Sequence, residues 1–257
     1  MRGRRYDDWI IEVLALLSIA FLLFLIAGIA YGDQSLEKKY LPDSRKKIAL
    51  TFDDGPKPNV LKELLPMLAD HKVKATFFVN GFRLKTDESA QGLIRQMTIV
   101  GHSIQNHTYS HGNLKKMEER YGRQWVLDDI EKNSALIEKY SGRRPTFFRP
   151  PFWVIWPDLK KDIESRGYIV LTLENGDINS SDYIFAVKQE TQDKIIALVL
   201  GVIKQREKQS RFSHILVFHE ISGTVNILPR LIEELKSRGY EFDVVENVYS
   251  QNKEEGR

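Results

Sequence analysis

The 257-residue chain contains no cysteine. Disulfides and thiolate metal sites are therefore excluded, and any metal must be taken by histidine and carboxylate side chains. The absence fits any compartment, including an extracytoplasmic one that does not rely on disulfides. An excess of one charge is also lacking. Lys and Arg number 38 and Asp and Glu 35, a formal net charge of +3. With no dense basic stripe interleaved with aromatics, that balance gives no support to nucleic-acid binding. There are no internal repeats and no low-complexity tracts. What remains is ordinary globular composition, 42% hydrophobic and 28% charged, in a chain long enough for one domain with its own core.

One long hydrophobic run is present. Residues 13–31 read VLALLSIAFLLFLIAGIAY, with only Ser18 polar. About 19–20 such residues cross a bilayer core of roughly 30 Å. Arg2, Arg4 and Arg5 precede the run, which favours a cytoplasmic N-terminus over residues 1–12. Gly28 and Ala30 would suit a cleaved signal peptide, but the run is longer than a usual signal core, so an uncleaved transmembrane anchor is expected. Either way the remainder is exported: secreted if cleaved, membrane-anchored and extracytoplasmic if not. Residues 32–45 read as a polar linker, 46–248 as the globular domain and 249–257 as a polar tail.

Within the domain, apolar runs at 48–52, 73–79, 103–106, 146–149, 168–173, 214–218 and 241–245 predict seven strands. Amphipathic stretches at 59–70, 89–100, 121–140, 157–166 and 226–238 predict helices between them, with a long, partly helical excursion over 182–209. Continuous apolar strands alternating with helices indicate an α/β fold with a parallel sheet. Polar residues recur at the strand C-termini: Asp53 and Asp54 after the first, His107 after the third, Arg149 at the fourth, Asp177 after the fifth, His219 at the sixth. In a closed barrel those ends converge on one face, so a distorted (β/α)7-8, TIM-like barrel is expected.

Two short runs carry the chemistry. Residues 51–56, TFDDGP, set two adjacent carboxylates at a strand end, and residues 107–111, HTYSH, set two imidazoles four apart. Read as one helical turn, the histidines would face the same way. Alone, each run is weak: Asp-Gly-Pro is a common turn signal, and a lone buried His219 is more often a satisfied core residue. Together they offer one carboxylate and two histidines to a metal, with a spare carboxylate beside it, the minimum set for a metal-assisted hydrolase.

With RPPF at 149–152, ILVFHE at 215–220, KATFFVNG at 74–81 and GHSIQNH at 101–107, the chain resembles a polysaccharide deacetylase of carbohydrate esterase family 4, the NodB-homology domain, over about residues 46–248. The resemblance implies metal-dependent removal of N- or O-acetyl groups from a glycan. It implies Asp54, His107 and His111 as metal ligands, Asp53 as general base, His219 as general acid and Arg149 as the residue that orients Asp53. It also implies the backbone N–H of Phe152 as an oxyanion donor. Zn²⁺ is the expected metal, and N/O ligands leave other first-row divalent ions open. Asp177 is aligned with the family's orienter of the acid histidine, with Glu174 as the competing partner. Ile178 then stands where the family has a tryptophan walling the acetyl pocket, and Val217 where it has a leucine. Trp153, Trp156 and Tyr109 are candidate sugar-stacking faces or core aromatics. The expected partner is an acetylated glycan such as peptidoglycan, a chitin-like oligomer or poly-N-acetylglucosamine. A non-catalytic glycan-binding protein of the same fold and a xylan-type O-acetyl esterase are the alternatives.

Overall fold

The computed structural model describes residues 46–173, 177–182 and 189–254. The predicted anchor at 13–31, the linker at 32–45 and Glu174 lie outside the described residues. Among those described, no helix is long and apolar enough to cross a membrane.

Strand β1 (Lys47–Gly55) is the axis of the sheet and is buried from Ile48 through Asp53. That continuity follows from neighbours on both edges and layers on both faces. One edge pairs with β7 (Ser213–His219) along Lys47–Asp53. The other pairs first with β8 (Glu241–Phe242) at Lys47–Ile48 and then with β2 (Thr76–Val79) from Thr51 onward. Beyond β2 lie β3 (Ser103–Asn106), β4 (Phe147–Phe148) and β5 (Ile169–Val170); beyond β7 lies β6 (Ile178–Asn179). All pairings are parallel. β5 and β6 end the sheet and do not pair with each other among the described residues. The expected closed barrel is therefore a curled half-barrel. β6 is an additional strand, two residues long, too short to leave a period in the sequence.

The helices are α1 (Pro58–Asp70), α2 (Gly81–Thr86), α3 (Glu88–Ile99), α4 (Leu114–Tyr121), α5 (Arg123–Ser141), α6 (Pro157–Glu164), α7 (Gln189–Glu207), α8 (Ser222–Ser237) and α9 (Val245–Glu254). The helix expected at 121–140 is α5, and the additional helix α4 is separated from it by Gly122, whose φ of 87° only glycine adopts without strain. The last expected strand stops at Phe242, and α9 takes up most of the expected polar tail. Its reason is local: Val245, Val248 and Tyr249 form an i, i+3, i+4 apolar stripe.

Side chains alternate across the sheet. Ile48, Leu50 and Phe52, with Phe77, Leu216 and Phe218, face a core shared with Leu61, Leu64 and Leu68 of α1 and Leu228, Leu231 and Leu235 of α8. Ala49, Phe78, Phe147, Leu171 and Ile215 face the concave side, where Val245 and Val248 of α9 fill the space between them. By the same parity Thr51, Asp53, Arg149, Val217 and His219 belong to the concave face. Apolar residues therefore occupy its lower levels and polar ones its C-terminal rim.

Val248 is fully buried. Val248→Asp places an unpaired carboxylate against Ala49 and Ile215, and should cost more than about 3 kcal/mol of stability in chemical denaturation. A polar tail would tolerate the change within about 0.5 kcal/mol.

Candidate active site

Asp54 has a φ of 68°, which takes its side chain out of the strand's alternation and away from the apolar core. Asp53 stays on the concave face. Asp54 turns to the histidines, its Oδ1 lying 2.8 Å from His111 Nε2 and 3.5 Å from His107 Nε2. One donor atom from each of the three residues falls within 4.8 Å of the others. Burial alone would raise the Asp54 pKa, but the hydrogen bonds and charges of His107 and His111 outweigh it and hold the carboxyl far below its ordinary value. It is thus an anionic donor throughout the usual pH range.

The histidine pair does not sit on a helical turn. Residues 107–113 form an irregular loop in which Thr108 and His111 have φ values of 67° and 57°. Side chains outside the motif hold it there. Asn106 Oδ1 accepts the Thr108 N–H (2.7 Å), Thr108 Oγ1 accepts the His111 N–H (2.9 Å), and Asn80 Nδ2 donates to the His107 carbonyl (3.0 Å). Asp129 Oδ2 accepts the N–H groups of Tyr109 and Ser110, both at 3.2 Å. A carbonyl fixes the tautomer of His107. Its Nδ1 lies 2.7 Å from the oxygen of Arg149, which can only accept, so Nδ1 carries a proton and Nε2 is the nitrogen left to ligate an ion when the ring is neutral. Two imidazole nitrogens and a carboxylate suit Zn²⁺ and its first-row neighbours, so Asp54, His107 and His111 could hold such an ion.

Arg149 is completely buried. Its Nη1 donates to Asp53 Oδ1 (2.7 Å) and Thr51 Oγ1 (2.8 Å), and its Nη2 to Asp177 Oδ2 (3.0 Å). Its guanidinium carbon lies 4.1 Å from the Phe78 ring centroid and 5.4 Å from that of Trp153. Burial pushes Asp177 up to about 6, against the pull of Arg149.

Asp177 is therefore a partner of Arg149 and not the orienter of His219. That place is taken by Asp182, which sequence reasoning missed. Asp182 Oδ1 lies 2.8 Å from His219 Nδ1, its Oδ2 accepts the His219 N–H at 2.7 Å, and the Thr224 hydroxyl also donates to Oδ2. The cause is the pairing of β6 with β7, Ile178 opposite Leu216 and Asn179 opposite Val217. It carries Asp177 toward Arg149 and brings Asp182 past the end of β7. Burial lowers the His219 pKa, but the hydrogen bond and charge of Asp182, with Asp53 and Asp54 adding, leave it raised.

Asp53, Asp54, His107, His111 and His219 line one cavity of about 340 Å³ with Pro150, Phe152 and Trp153. Phe152 and Trp153 have φ values near 60°, a strained turn that puts the Phe152 ring at the rim, 60% exposed and 5.0 Å from the His111 ring. Four residues expected at the pocket wall or as sugar-stacking faces are not among the described lining. Ile178 is core on the opposite face of the sheet, and Val217 is fully buried one level below His219. The Tyr109 ring packs under Lys132 Nζ and against Gly81. Trp156 lines neighbouring surface depressions beside Ile155.

Glu220, directly after His219, is a second residue not anticipated. It is fully buried, and its Oε2 accepts the Lys57 N–H at 2.7 Å. Its carboxyl fills the space beside Gly55, where an added Cβ would overlap Oε1. Burial pushes its pKa up to about 8. The glycine of DDGP thus leaves room for the carboxyl of the residue that follows the acid histidine.

The family model described as polysaccharide deacetylase matches residues 41–171. A peptidoglycan-N-acetylglucosamine deacetylase of Bacillus cereus is 29% identical over 213 residues, 83% of this chain and 72% of that protein. The structure of the peptidoglycan deacetylase PdaC from Bacillus subtilis superposes with a TM-score of 0.67 at 28% identity, covering 83% of this chain and 94% of that one. The structure of a family 4 acetyl xylan esterase from Clostridium thermocellum, in complex with a cobalt ion, superposes with a TM-score of 0.66 at 31% identity, covering 80% and 91%.

Asp182→Asn removes the charge that raises the His219 pKa, so the imidazole should titrate at lower pH in an NMR titration. Asp177→Asn, which touches Arg149 instead, should move it far less.

Proposed function

The chain belongs to the polysaccharide deacetylase family and is a hydrolase of that type, and on this premise we propose that it removes acetyl groups from the N-acetylated sugars of peptidoglycan. The observation that carries the reading is the convergence in one cavity of a three-donor metal set, a carboxylate fixed by arginine and a histidine fixed by aspartate. The substrate class follows from what the similar proteins act on.

Asp54, His107 and His111 would hold the ion, with Zn²⁺ the best fit to their donors. A divalent cation there would polarise the acetyl carbonyl and lower the pKa of a bound water toward ~7. Asp53 takes the proton of the attacking water. Arg149 fixes the orientation of Asp53 through Oδ1, which leaves Oδ2 for that proton. The leaving nitrogen must be protonated as its bond to the acetyl carbon breaks. His219 supplies that proton from Nε2, since its Nδ1–H is engaged by Asp182. A raised pKa keeps the imidazolium populated near neutrality. The Phe152 N–H lies on the strained turn at the cavity rim, where it would meet the developing oxyanion. The exposed Phe152 ring and Trp153 offer flat apolar surface to a sugar ring.

The domain is placed outside the membrane, tethered by the apolar run at 13–31, with Arg2, Arg4 and Arg5 on the cytoplasmic side. A second reading, ester hydrolysis on acetylated xylan, is favoured by the likeness to the acetyl xylan esterase and uses the same residues.

Acetate release by the detergent-solubilised chain with Zn²⁺ from peptidoglycan, chitin oligomers and acetylated xylan separates these readings; no release from any would favour a glycan-binding role. His107→Ala should lose bound metal by elemental analysis. Asp53→Asn should keep its metal and lose about 10²–10⁴-fold in acetate release; full activity would remove Asp53 as the base.

A further inference from the structure

The end of the half-barrel opposite the cavity has an unusual charge distribution. Because every strand is parallel, the connections from helix to strand all lie at this end. They are residues 71–75, 100–102, 142–146, 165–168, 208–212 and 238–240. Together they carry Lys72, Lys74, Arg143, Arg144, Arg166, Lys208, Arg211 and Arg238, and no Asp or Glu. Arg144 and Arg238 are paired with Glu131 and Glu234 of their own neighbouring helices. The other six make no ion pair among the described residues. Carboxylates near this end are mostly engaged: Glu207 holds Lys46, Asp243 holds Lys47, and Glu246 accepts from Ser103 and Gln105. Asp70, Glu164 and Glu241 are exposed, and of these Glu164 faces Lys160.

A helix dipole favours a cation at each helix C-terminus, so charge alone would be explained as a stabilising device. Two further features are not. Ile99 and Val100, at the tip where α3 turns toward β3, are 78% and 52% exposed, an apolar point at the same end as the cationic connections. The chain also enters the domain at this same end, through Lys46 and Lys47, only 14 residues (32–45) after the apolar run.

We propose that this face docks on the surface of a membrane rich in anionic phospholipid, with Ile99 and Val100 inserting among the headgroups and the unpaired lysines and arginines meeting lipid phosphates. The inference rests on the anchored reading above and adds an orientation to it. β1 spans the domain from this face to the catalytic rim. At about 3.3 Å per residue its nine residues would hold the cavity on the order of 30 Å from the lipid, facing away from it. The opposite orientation would press Phe152 and the cavity mouth onto the bilayer.

The lack of cysteine makes a direct test possible. Single Ile99→Cys and Lys116→Cys variants of the full chain, each carrying a polarity-sensitive fluorophore, are placed in vesicles of phosphatidylcholine alone or with about 30% phosphatidylglycerol. Position 116 is at the catalytic end and serves as the control. The label at 99 should brighten and shift to the blue only in the anionic vesicles. The shift should be lost in about 0.5 M NaCl, where screening is short, and in Lys72→Glu/Arg143→Glu/Arg166→Glu. The label at 116 should not respond. Equal emission at 99 in both vesicle types, persistence after charge reversal, or an equal response at 116 would overturn the proposal. A shift produced by soluble polyphosphate but not by vesicles would also overturn it, in favour of an anionic polymer. Vesicle flotation after alkaline carbonate extraction reads the anchor separately: extraction of the chain would refute the transmembrane segment while leaving the fluorescence result to judge the face.

Discussion

The buried guanidinium of Arg149 is the constraint on which the rest of the site depends. A cation taken wholly out of water is tolerated only where anions and acceptors surround it. Here Asp53, Asp177 and Thr51 do so, drawn from two other regions of the chain. The arginine follows β4, Asp53 and Thr51 come from β1, and Asp177 precedes β6. The same residue's main-chain oxygen fixes the tautomer of His107. One residue therefore sets the geometry of the base through its side chain and that of a metal ligand through its backbone. Asp177 reaches Arg149 through the same pairing of β6 with β7 that brings Asp182 to His219.

Around this centre the backbone is held in conformations it would not choose. Asp54, Thr108, His111, Phe152 and Trp153 all have φ near 60° without being glycine. Each such residue costs on the order of 1 kcal/mol or more, and persists only where its surroundings over-determine it. The surroundings here are specific: Asn80, Asn106 and Asp129 fasten the histidine loop, and Glu220 fastens the turn after Asp54. The left-handed turn at Asp54 is what gives two consecutive aspartates different tasks. An extended chain would also send them to opposite sides, but one of those sides is the apolar core under α1.

Much of this was legible in the sequence. TFDDGP, HTYSH, RPPF and the histidine of ILVFHE named every residue lining the catalytic part of the cavity, and apolar runs located the long strands. The misplacements share a cause: they depend on pairing, which composition does not encode. Asp177 and Asp182 are both aspartates after a short strand, and only the register of β6 on β7 decides which reaches the histidine. Ile178 and Val217 fit a pocket wall by type, and only parity and depth in the sheet make them core. The helical reading of HTYSH followed a spacing of four that a loop meets equally well. α9 was hidden because its apolar stripe is three residues in an otherwise polar segment, and Gly122 reads as an interruption only once its φ is known.

The lock on His107 is made by a carbonyl oxygen, and that has a consequence for how this site can change. The side-chain contacts that fix the machinery can each be erased by a single codon: the arginine fork, the aspartate behind the acid, the asparagines under the loop. A main-chain acceptor has no codon of its own. Mutational drift can therefore disable the base or detune the acid while leaving His107 correctly presented to a metal. The presentation of His107 would outlast the loss of any one of those side chains.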